Sequence, residues 1–513
     1  MFIYCKFLKM KKAKVLFITP NLKGIGDGVN RIQPSLGLML IAPILEKNGH
    51  TVKIYDSALD GWDNRYYIDK KNDVVMIGHS DDNIAKTISN FSPDIVAISV
   101  LFSNLLESAH NIAQITKKIK KDTCVILGGN HISSAVSDYK ISMMENNAGL
   151  THVIKDLEND WIDFAMTGEG EFSFLELVNR LINKEDISKV PGLTKKIGEK
   201  KYLINPSVRI HDLNLLPRPA RHLVDMESYF KIGAFHSAKS RSNRVLSVMC
   251  SRGCPEKCTF CSTPQMWGTN TRWRTTDHIM SEISNDVRDF NIGEIQFDDD
   301  TLTVNKKNLF SLCAELEKIG LPWCTPNGTK VNYHFNKQEE MYKVMADSGC
   351  YQITLACESG VQRVLDEIVN KRLPLETIYP SIENAKKAGM LVHTFWILGY
   401  PGETYEEIQK TIDFAMNSGA DSFSFAILSP LPGTPIYRKV IKENLWWDGR
   451  CLDDMLFRSS LIKVDGFSGP EDFEFFVNEA NTKANLLLKT NDPKRFAYKY
   501  GENADKSAFV KQT

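Results

Sequence analysis

Three cysteines stand close together in the middle of the chain. Cys254, Cys258 and Cys261 form a C-x3-C-x2-C run. Three thiolates at this spacing can hold three irons of a [4Fe–4S] cluster and leave the fourth iron open to a small molecule. A structural zinc site usually takes four ligands in two separated pairs, and the sequence has no second C-x2-C or H-x3-H pair. The run therefore predicts a catalytic cluster with these three cysteines as ligands.

The composition favours an enzyme of a reducing compartment. The chain has 513 residues and a formal net charge of zero, which argues against nucleic acid or an anionic membrane as its main partner. The other cysteines are scattered without the spacing of a disulfide framework. The apolar start of the chain is too short to span a bilayer. We expect a cytoplasmic protein with no nucleic-acid or membrane partner.

The first third of the chain alternates apolar strands with helical periodicity. Such a β/α series predicts an open doubly wound sheet, in which ligands lie beyond the carboxyl ends of the strands. Those ends carry the glycines of this region. The expected strands are 14–19, 51–55, 95–100, 124–127 and 164–166, and the first expected helix is 37–47.

The glycines are weak signals when taken alone. Gly24, Gly26 and Gly28 are not followed directly by a helix or by a Walker lysine. We therefore interpret this segment as a mobile loop rather than a phosphate-binding loop. The turns at 128–131 and 168–171 allow a bulky ligand to approach the backbone closely, although tight turns alone explain both.

The second half of the chain places polar or glycine-rich residues after each apolar strand. This arrangement is typical of a barrel whose active site is built at the carboxyl rim, and the cysteine run follows the first of these strands. The expected strands are 244–249, 294–297, 352–355, 393–398 and 422–428.

Several motifs occur in the order seen in cobalamin-binding radical SAM enzymes, and the chain resembles that family over nearly its whole length. They are segments 34–42, 49–50, 92–99, 128–131, 167–171 and 216–220. The resemblance implies an α/β protein with a Rossmann-like cobalamin-binding domain, a partial (β/α)6 TIM-type radical SAM barrel and a small helical region. The expected boundaries are an N-terminal extension 1–12, the cobalamin domain 13–190, a linker 191–240, the barrel 241–440 and a helical region with a polar tail 441–513.

The resemblance also implies the residues that bind cobalamin and SAM. Asp299 or Asp300 is expected to accept from the SAM ammonium, Glu358 to contact the amine or the ribose, and Phe260 to flank the adenine. Other expected SAM contacts are Ser359, Gly399, Pro401 and Gly402. The expected cobalamin contacts are Asn21, Ser35, Leu36, Gly37, Ser99, Leu101, Gly128, Gly129, His131, Gly168, Glu169, Gly170 and Glu171.

One motif of other B12 proteins is missing. No histidine of this chain has an aspartate two residues before it, so the D-x-H-x-x-G motif that supplies a lower cobalt ligand is absent. This absence resembles the variant of the family in which no protein imidazole binds cobalt. His131 is then expected to hydrogen-bond its loop or the corrin edge rather than to ligate the metal.

The family chemistry implies a [4Fe–4S] cluster, SAM and cobalamin, with an electron donor of the flavodoxin or ferredoxin type. It predicts methylation of an unactivated sp3 carbon through a 5′-deoxyadenosyl radical and methylcobalamin. A non-methylating oxidative, ring-forming or rearrangement enzyme has the same motifs and is the alternative. A tRNA methylthiotransferase needs a second cluster, and a storage or sensor protein does not need the cysteine run, so neither fits.

A narrower likeness concerns the substrate. Segments 79–84, 320–329 and 351–365 resemble the phosphonate C-methyltransferases of fosfomycin biosynthesis, which implies a small phosphonate or nucleotide-linked substrate. Trp323, Thr325 and Asn327 are the expected substrate contacts. The amphipathic segment after about residue 440 is expected to close the open side of the barrel with an aromatic stripe in its core.

Overall fold

The computed structural model describes residues 11–26, 30–144, 155–199, 201–237, 240–456 and 458–493. Most of the expected N-terminal extension, Gly28 of the glycine loop and the polar tail after residue 493 lie outside the described residues. The architecture is the expected α/β class, with a first sheet, a second barrel-like sheet and helices on both. Within the described residues, no helix is both long and apolar enough to cross a membrane.

The first sheet has seven strands in the order β10-β9-β8-β7-β6-β1-β3. Its strands β3, β1, β6, β7 and β8 are parallel neighbours, as expected from their continuous apolar runs. The strands are β1 (Lys14–Thr19), β3 (Thr51–Asp56), β6 (Ile95–Ser99), β7 (Cys124–Gly128), β8 (Phe164–Met166), β9 (Leu193–Gly198) and β10 (Lys201–Ile204).

Two features of this region were not expected from the sequence. The hairpin β9–β10 adds antiparallel strands to the sheet, so the sheet continues past residue 190 into the segment expected to be a linker. A separate antiparallel sheet in the order β2-β5-β4 lies beside the main one. Its strands are β2 (Leu22–Ile25), β4 (Arg65–Asp69) and β5 (Val74–Ile77).

The second large sheet has six parallel strands in the order β11-β14-β15-β16-β17-β18, the arrangement of a partial barrel. An antiparallel ribbon, β12 with β13, stands beside the first strand and brackets the cysteine loop. The bounds are β11 (Val245–Val248), β12 (Ser251–Arg252), β13 (Arg272–Trp273), β14 (Glu294–Phe297), β15 (Trp323–Lys330), β16 (Cys350–Glu358), β17 (Leu391–Leu398) and β18 (Ser422–Ile427).

The helices cover both sheets and follow the strands in sequence. Those of the first half are α1 (Leu36–Lys47), α2 (Ser57–Asp60), α3 (Asp81–Phe91), α4 (Leu106–Ile119), α5 (Asn130–Met144), α6 (Gly170–Asn183) and α7 (Met226–Ile232). Those of the second half are α8 (Thr263–Met266), α9 (Thr276–Phe290), α10 (Lys306–Ile319), α11 (Gln338–Asp347), α12 (Ile378–Lys387), α13 (Tyr405–Met416), α14 (Pro435–Lys442) and α15 (Pro470–Asn491).

Helix α15 lies along the last strand of the barrel. The Asn481 amide donates to the carbonyl of Phe425 in β18 and accepts from its N–H, so a side chain satisfies backbone groups of an edge strand. Phe473 at the start of the helix is fully buried, whereas Phe475 is exposed. The C-terminal helix therefore covers the free edge of the partial barrel, with only part of the aromatic stripe in the core.

Candidate functional site

The three cysteines lie in the loop between β12 and β13. Gly253 opens this loop with φ of +96°, and a Cβ there would lie 2.5 Å from the carbonyl oxygen of Asn270, so only glycine fits. The N–H of Cys261 donates to the carbonyl of Cys258 at 3.1 Å, which brings the second and third cysteines into one turn. All three side chains are partly accessible.

Without iron, the thiols of the cysteine run are weaker acids than ordinary thiols. Burial raises the pKa of Cys254 to about 12 and that of Cys258 to about 11. Iron binding therefore has to displace protons from these thiols. Among the described residues, no three His, Cys, Asp or Glu side chains converge as ligands of a single metal ion. A [4Fe–4S] cluster differs from such a centre because it spreads its cysteines over several irons.

Asp299 and Asp300 brace the cysteine loop from the end of β14. The Asp299 carboxylate accepts from the N–H groups of Cys250 and Ser251 at 3.0 and 2.6 Å, and burial raises its pKa to about 7. Asp300 accepts from the Thr263 hydroxyl at 3.0 Å and is half-buried. Of the two, only Asp300 keeps the accessibility that a contact with SAM requires.

Glu358 ends β16 in a left-handed conformation and pairs with a lysine. Its Oε1 lies 2.7 Å from Nζ of Lys371, and each side chain is 6% exposed. Burial alone would lower the pKa of Lys371, but the attraction of the Glu358 carboxylate is the stronger effect. The pKa of Lys371 is therefore raised above its usual value. Ser359, by contrast, is fully buried and bonds the Thr411 hydroxyl at 3.1 Å, which makes it a structural residue.

The turn after β17 supplies the other wall of the site. The Glu403 carboxylate accepts from the N–H groups of Gly399 and Tyr400 at 2.9 and 3.1 Å, and it holds the turn closed. Gly402 has φ of +94°, and the carbonyl of Pro401 accepts from Lys439. The turn is therefore fixed by its own carboxylate and by α14.

Tyr400 in this turn has an unused polar atom. Its side chain is 1% exposed and its ring lies 6.1 Å from the ring of Phe260. Among the described residues, the Tyr400 hydroxyl finds no hydrogen-bond partner, although it lies near Glu358 and Cys258. A buried hydroxyl without a partner is costly. The residues beside the cysteines thus fit a bound polar cofactor such as SAM.

The carboxyl edge of the first sheet holds most of the expected cobalamin residues. Leu101 and its neighbour Phe102 follow β6 and are 50% and 47% exposed, an unusual position for large apolar side chains. A Cβ at Gly37 would meet no atom within 4 Å, and one at Gly128 only the Met166 carbonyl at 3.8 Å. This edge is therefore open and apolar, which fits a corrin.

Other expected cobalamin residues are held by the protein. Nδ1 of His131 lies 2.8 Å from the Ser103 hydroxyl, a bond within the loops as expected for this histidine. Asn21 is buried and bonds Ser57 and His79. Ser35 precedes α1, which begins at Leu36; Ser99 ends β6, Gly129 follows β7, Gly168 lies in the turn before α6, and Gly170 is the first residue of α6.

Glu169 and Glu171 differ from the expectation. Their carboxylates are buried in ion pairs with Arg252 and Arg272 of the barrel region, so they join the two halves of the molecule. Their place in a glycine-rich segment suggested ligand contacts, but here both carboxylates pair with arginines of the protein. The sequence contained no signal for this pairing, because arginine partners cannot be matched from spacing alone.

The two candidate cofactor sites meet directly. Asn130, next to the glycines after β7, donates to the Ser262 hydroxyl, next to Cys261, at 3.1 Å. A Cβ at Gly433 would lie 2.8 Å from the carbonyl oxygen of Ser134, so α5 also approaches the loop after β18 closely. The carboxyl edge of the first sheet therefore faces the cysteine loop.

The expected substrate residues have different positions in β15. Trp323 is fully buried, donates its indole N–H to the Ser348 carbonyl at 3.0 Å and packs on Phe297. It is a wall residue at the start of the strand rather than a residue of a cavity mouth. Thr325 is also buried. Asn327 is half-buried and donates to the Asp298 carbonyl at 2.8 Å, close to the acidic run.

A cavity of about 1280 Å³ lies away from the cysteines. It is bounded by the β2-β5-β4 sheet, α4 and α15, and of the expected site residues only Asn21 lines it. Its lining mixes basic and acidic side chains. Apart from Asn21, the predicted site residues therefore lie outside this cavity.

Two protein-family models match the chain. The B12 binding domain covers residues 22–143 and the Radical SAM superfamily covers residues 248–415. The first range contains β6, β7 and the glycine turn, and the second contains the cysteine loop and the acidic run. Each model thus matches the half of the molecule to which the geometry assigns that cofactor.

Relatives of known name cover the chain almost entirely. It is 31% identical over 499 residues to cytidylyl-2-hydroxyethylphosphonate methyltransferase of Streptomyces wedmorensis, and the aligned region covers 92% of this chain and 90% of that protein. An uncharacterised methyltransferase of Pyrococcus horikoshii is 30% identical over 437 residues, or 85% of each chain. The fold resembles the radical SAM methyltransferase TsrM of Kitasatospora setae with cobalamin and a [4Fe–4S] cluster bound, with a TM-score of 0.61 at 17% identity over 84% of this chain and 75% of that one. The chain belongs to the cobalamin-binding radical SAM enzymes and, within them, to the methyltransferases.

Proposed function

We propose that this enzyme methylates an unactivated sp3 carbon of a small phosphonate that is carried on a cytidylyl group. The contact of Asn130 with Ser262 supports the reaction type, because it sets the corrin edge against the cysteine loop. The relative from Streptomyces wedmorensis supports the substrate class, since its likeness extends over both halves of the chain.

The cysteine run and the acidic run have different roles in this reaction. Cys254, Cys258 and Cys261 would hold the cluster, and SAM would bind beside it. Asp300 is the acceptor for the SAM ammonium, since it is half-buried, whereas Asp299 is buried and accepts from two backbone N–H groups. When bound, the cofactors supply one-electron cleavage of SAM and a carrier for the methyl group.

The Glu358 carboxylate provides an acceptor for SAM, and Lys371 holds it in its charged form. The carboxylate can accept from an amine or from ribose hydroxyls, and the ammonium holds that carboxylate in place at 2.7 Å. Phe260 and Tyr400 form an apolar wall with one free hydroxyl, which suits an adenosine. The protein thus binds and orients SAM and excludes water around it.

The carbon substrate is assigned to the space between the two edges. Asn327 borders the acidic run from β15 and is the accessible member of the three residues expected there. An external flavodoxin or ferredoxin supplies the electrons. The free thiols of the described cysteines suit the reducing cytoplasm.

A substrate comparison tests the proposal. Enzyme reconstituted without oxygen with iron, sulfide and hydroxocobalamin is given SAM, a reductant and either cytidylyl-2-hydroxyethylphosphonate or free 2-hydroxyethylphosphonate. We expect mass spectrometry to find one added methyl group on the cytidylyl compound only, and none with a Cys258→Ala variant. A dehydrogenated or cyclised product without an added methyl group would instead establish the oxidative alternative.

A further inference from the structure

Two arginines hold the base of the cysteine loop. Arg252 ends β12 and Arg272 begins β13, and the two residues are paired directly across the antiparallel ribbon. Residues 253–271, with all three cysteines, form the loop between them. The position of these two guanidiniums therefore sets the position of the loop.

Both guanidiniums pair with carboxylates of the first domain. Nη1 of Arg252 lies 3.0 Å from Oε2 of Glu169, and Nη2 of Arg272 lies 2.6 Å from Oε1 of the same carboxylate. Arg252 also pairs with Glu171. Two positive and two negative charges thus balance in one cluster, and a single carboxylate bridges both arms of the ribbon.

The surroundings make this cluster rigid. The Arg252 side chain is 2% exposed and that of Glu169 is fully buried. Arg252 also lies over the Trp267 ring at 4.5 Å, and Arg272 donates to the carbonyl of Ile210. Arg252 directs its two terminal nitrogens at two different carboxylates, Glu169 and Glu171, which fixes the orientation of its guanidinium as well as its distance. A buried pair also cannot exchange its partner for water.

We propose that Glu169, Glu171, Arg252 and Arg272 form an interdomain clamp that sets the distance between cluster and cobalamin. Glu169 caps the start of α6 and Glu171 lies in its first turn, at the carboxyl edge where the corrin fits, while the arginines anchor the loop that carries the cluster. A displacement of about 1 Å between reacting groups can cost roughly 10²-fold in rate. The clamp residues are positioning residues, and the inference is independent of the carbon substrate.

The matched comparison is Glu169→Gln against Glu282→Gln. Glu282 is almost as deeply buried and also bridges two arginines, Arg221 at 3.2 Å and Arg274 at 2.7 Å, but it lies on α9 and pairs with neither Arg252 nor Arg272. Gln preserves the shape of the side chain and removes the charge in both variants. A loss of stability common to buried ion pairs therefore affects both, whereas a change of cofactor geometry is expected only in the first.

Pulsed electron paramagnetic resonance measures that geometry without substrate. The spin-to-spin distance between cob(II)alamin and the reduced cluster is recorded in the loaded wild type and in both variants. We expect one narrow distance for wild type and Glu282→Gln, and a broadened or shifted distribution for Glu169→Gln. Amide hydrogen exchange of the cofactor-free protein is expected to accelerate in residues 253–271 of Glu169→Gln alone.

Unchanged distances and unchanged exchange in a folded Glu169→Gln protein would overturn the clamp. Glu171→Gln removes one carboxylate from Arg252 and leaves the Glu169 bridge, so it provides a milder variant if Glu169→Gln does not fold. We expect the same direction of change from it, with smaller size, and identical values to wild type would count against the proposal. Failure of the phosphonate assay leaves these measurements intact because no substrate is present.

Discussion

In a Lys371→Met variant, the buried Glu358 carboxylate loses the ammonium with which it pairs. At 2.7 Å the gross attraction is about 6 kcal/mol for an effective dielectric constant of about 20. Desolvation consumes part of that energy, and removing one partner of a buried pair costs about 3–5 kcal/mol. In a domain of this size, each kcal/mol of lost stability lowers the melting temperature by about 2–4 °C. We therefore expect the melting temperature of Lys371→Met to fall by roughly 6–20 °C.

Scanning calorimetry of the cofactor-free protein measures this change. Lys343→Met is the matched control, because its pair with Asp347 has a similar length of 2.9 Å but the lysine is 72% exposed, so we expect a shift of less than about 2 °C. Adding Glu358→Gln to Lys371→Met removes the orphan carboxylate and is expected to restore at least half of the loss. A Lys371→Met protein that melts within about 2 °C of wild type, or a double variant without recovery, would refute the reasoning.

Three further outcomes follow from single positions. Tyr400→Phe removes a hydroxyl without a protein partner, so calorimetry should find the cofactor-free protein unchanged or slightly more stable, while titration calorimetry of the reconstituted enzyme should find SAM binding weakened about 3–10-fold. Burial raises the pKa of Asp56 to about 6 from 3.8, so its ionisation costs about 3 kcal/mol, a cost absent below pH 4 and complete above pH 6. Asp56→Asn should therefore flatten the decline in stability between those pH values, measured as denaturation midpoints; an unchanged slope would contradict this assignment. Gly399→Ala places a Cβ at 2.7 Å from the Phe473 ring at φ of +86°, and the free energy of unfolding, measured by denaturant titration, should fall by about 2–5 kcal/mol.

The sequence predicted the elements that have a strong local pattern. The apolar runs of β1 and β6 and the glycines that follow β7 marked the parallel sheet and its ligand edge, because a buried parallel strand leaves a continuous apolar signature. β15 was missed as a strand, since Pro326 and Gly328 interrupt it and its pairing with β16 is irregular. The β2-β5-β4 sheet was missed because its strands have only four or five residues each and β4 is mostly exposed.

The site was predicted in outline but not in its charge pairing. The cysteine run and the acidic run have fixed spacing, so both could be found from the sequence. Lys371 carries no motif, and only the fold brings it to Glu358 thirteen residues earlier in the chain. Arg252 and Glu169 are separated by 83 residues, and the structure alone shows that their side chains meet. Long-range ion pairs of this kind leave no local periodicity to detect.

Both halves of the molecule are expected to act on one substrate carbon. The most direct measurement supplies methyl-deuterated SAM together with cytidylyl-2-hydroxyethylphosphonate deuterated at the carbon to be methylated. We expect a product with one trideuteromethyl group, one molecule each of 5′-deoxyadenosine and S-adenosylhomocysteine per product, and substrate deuterium in the 5′-deoxyadenosine. A methylated product formed without 5′-deoxyadenosine would contradict this expectation, because the methyl group would then have reached the carbon without a radical step.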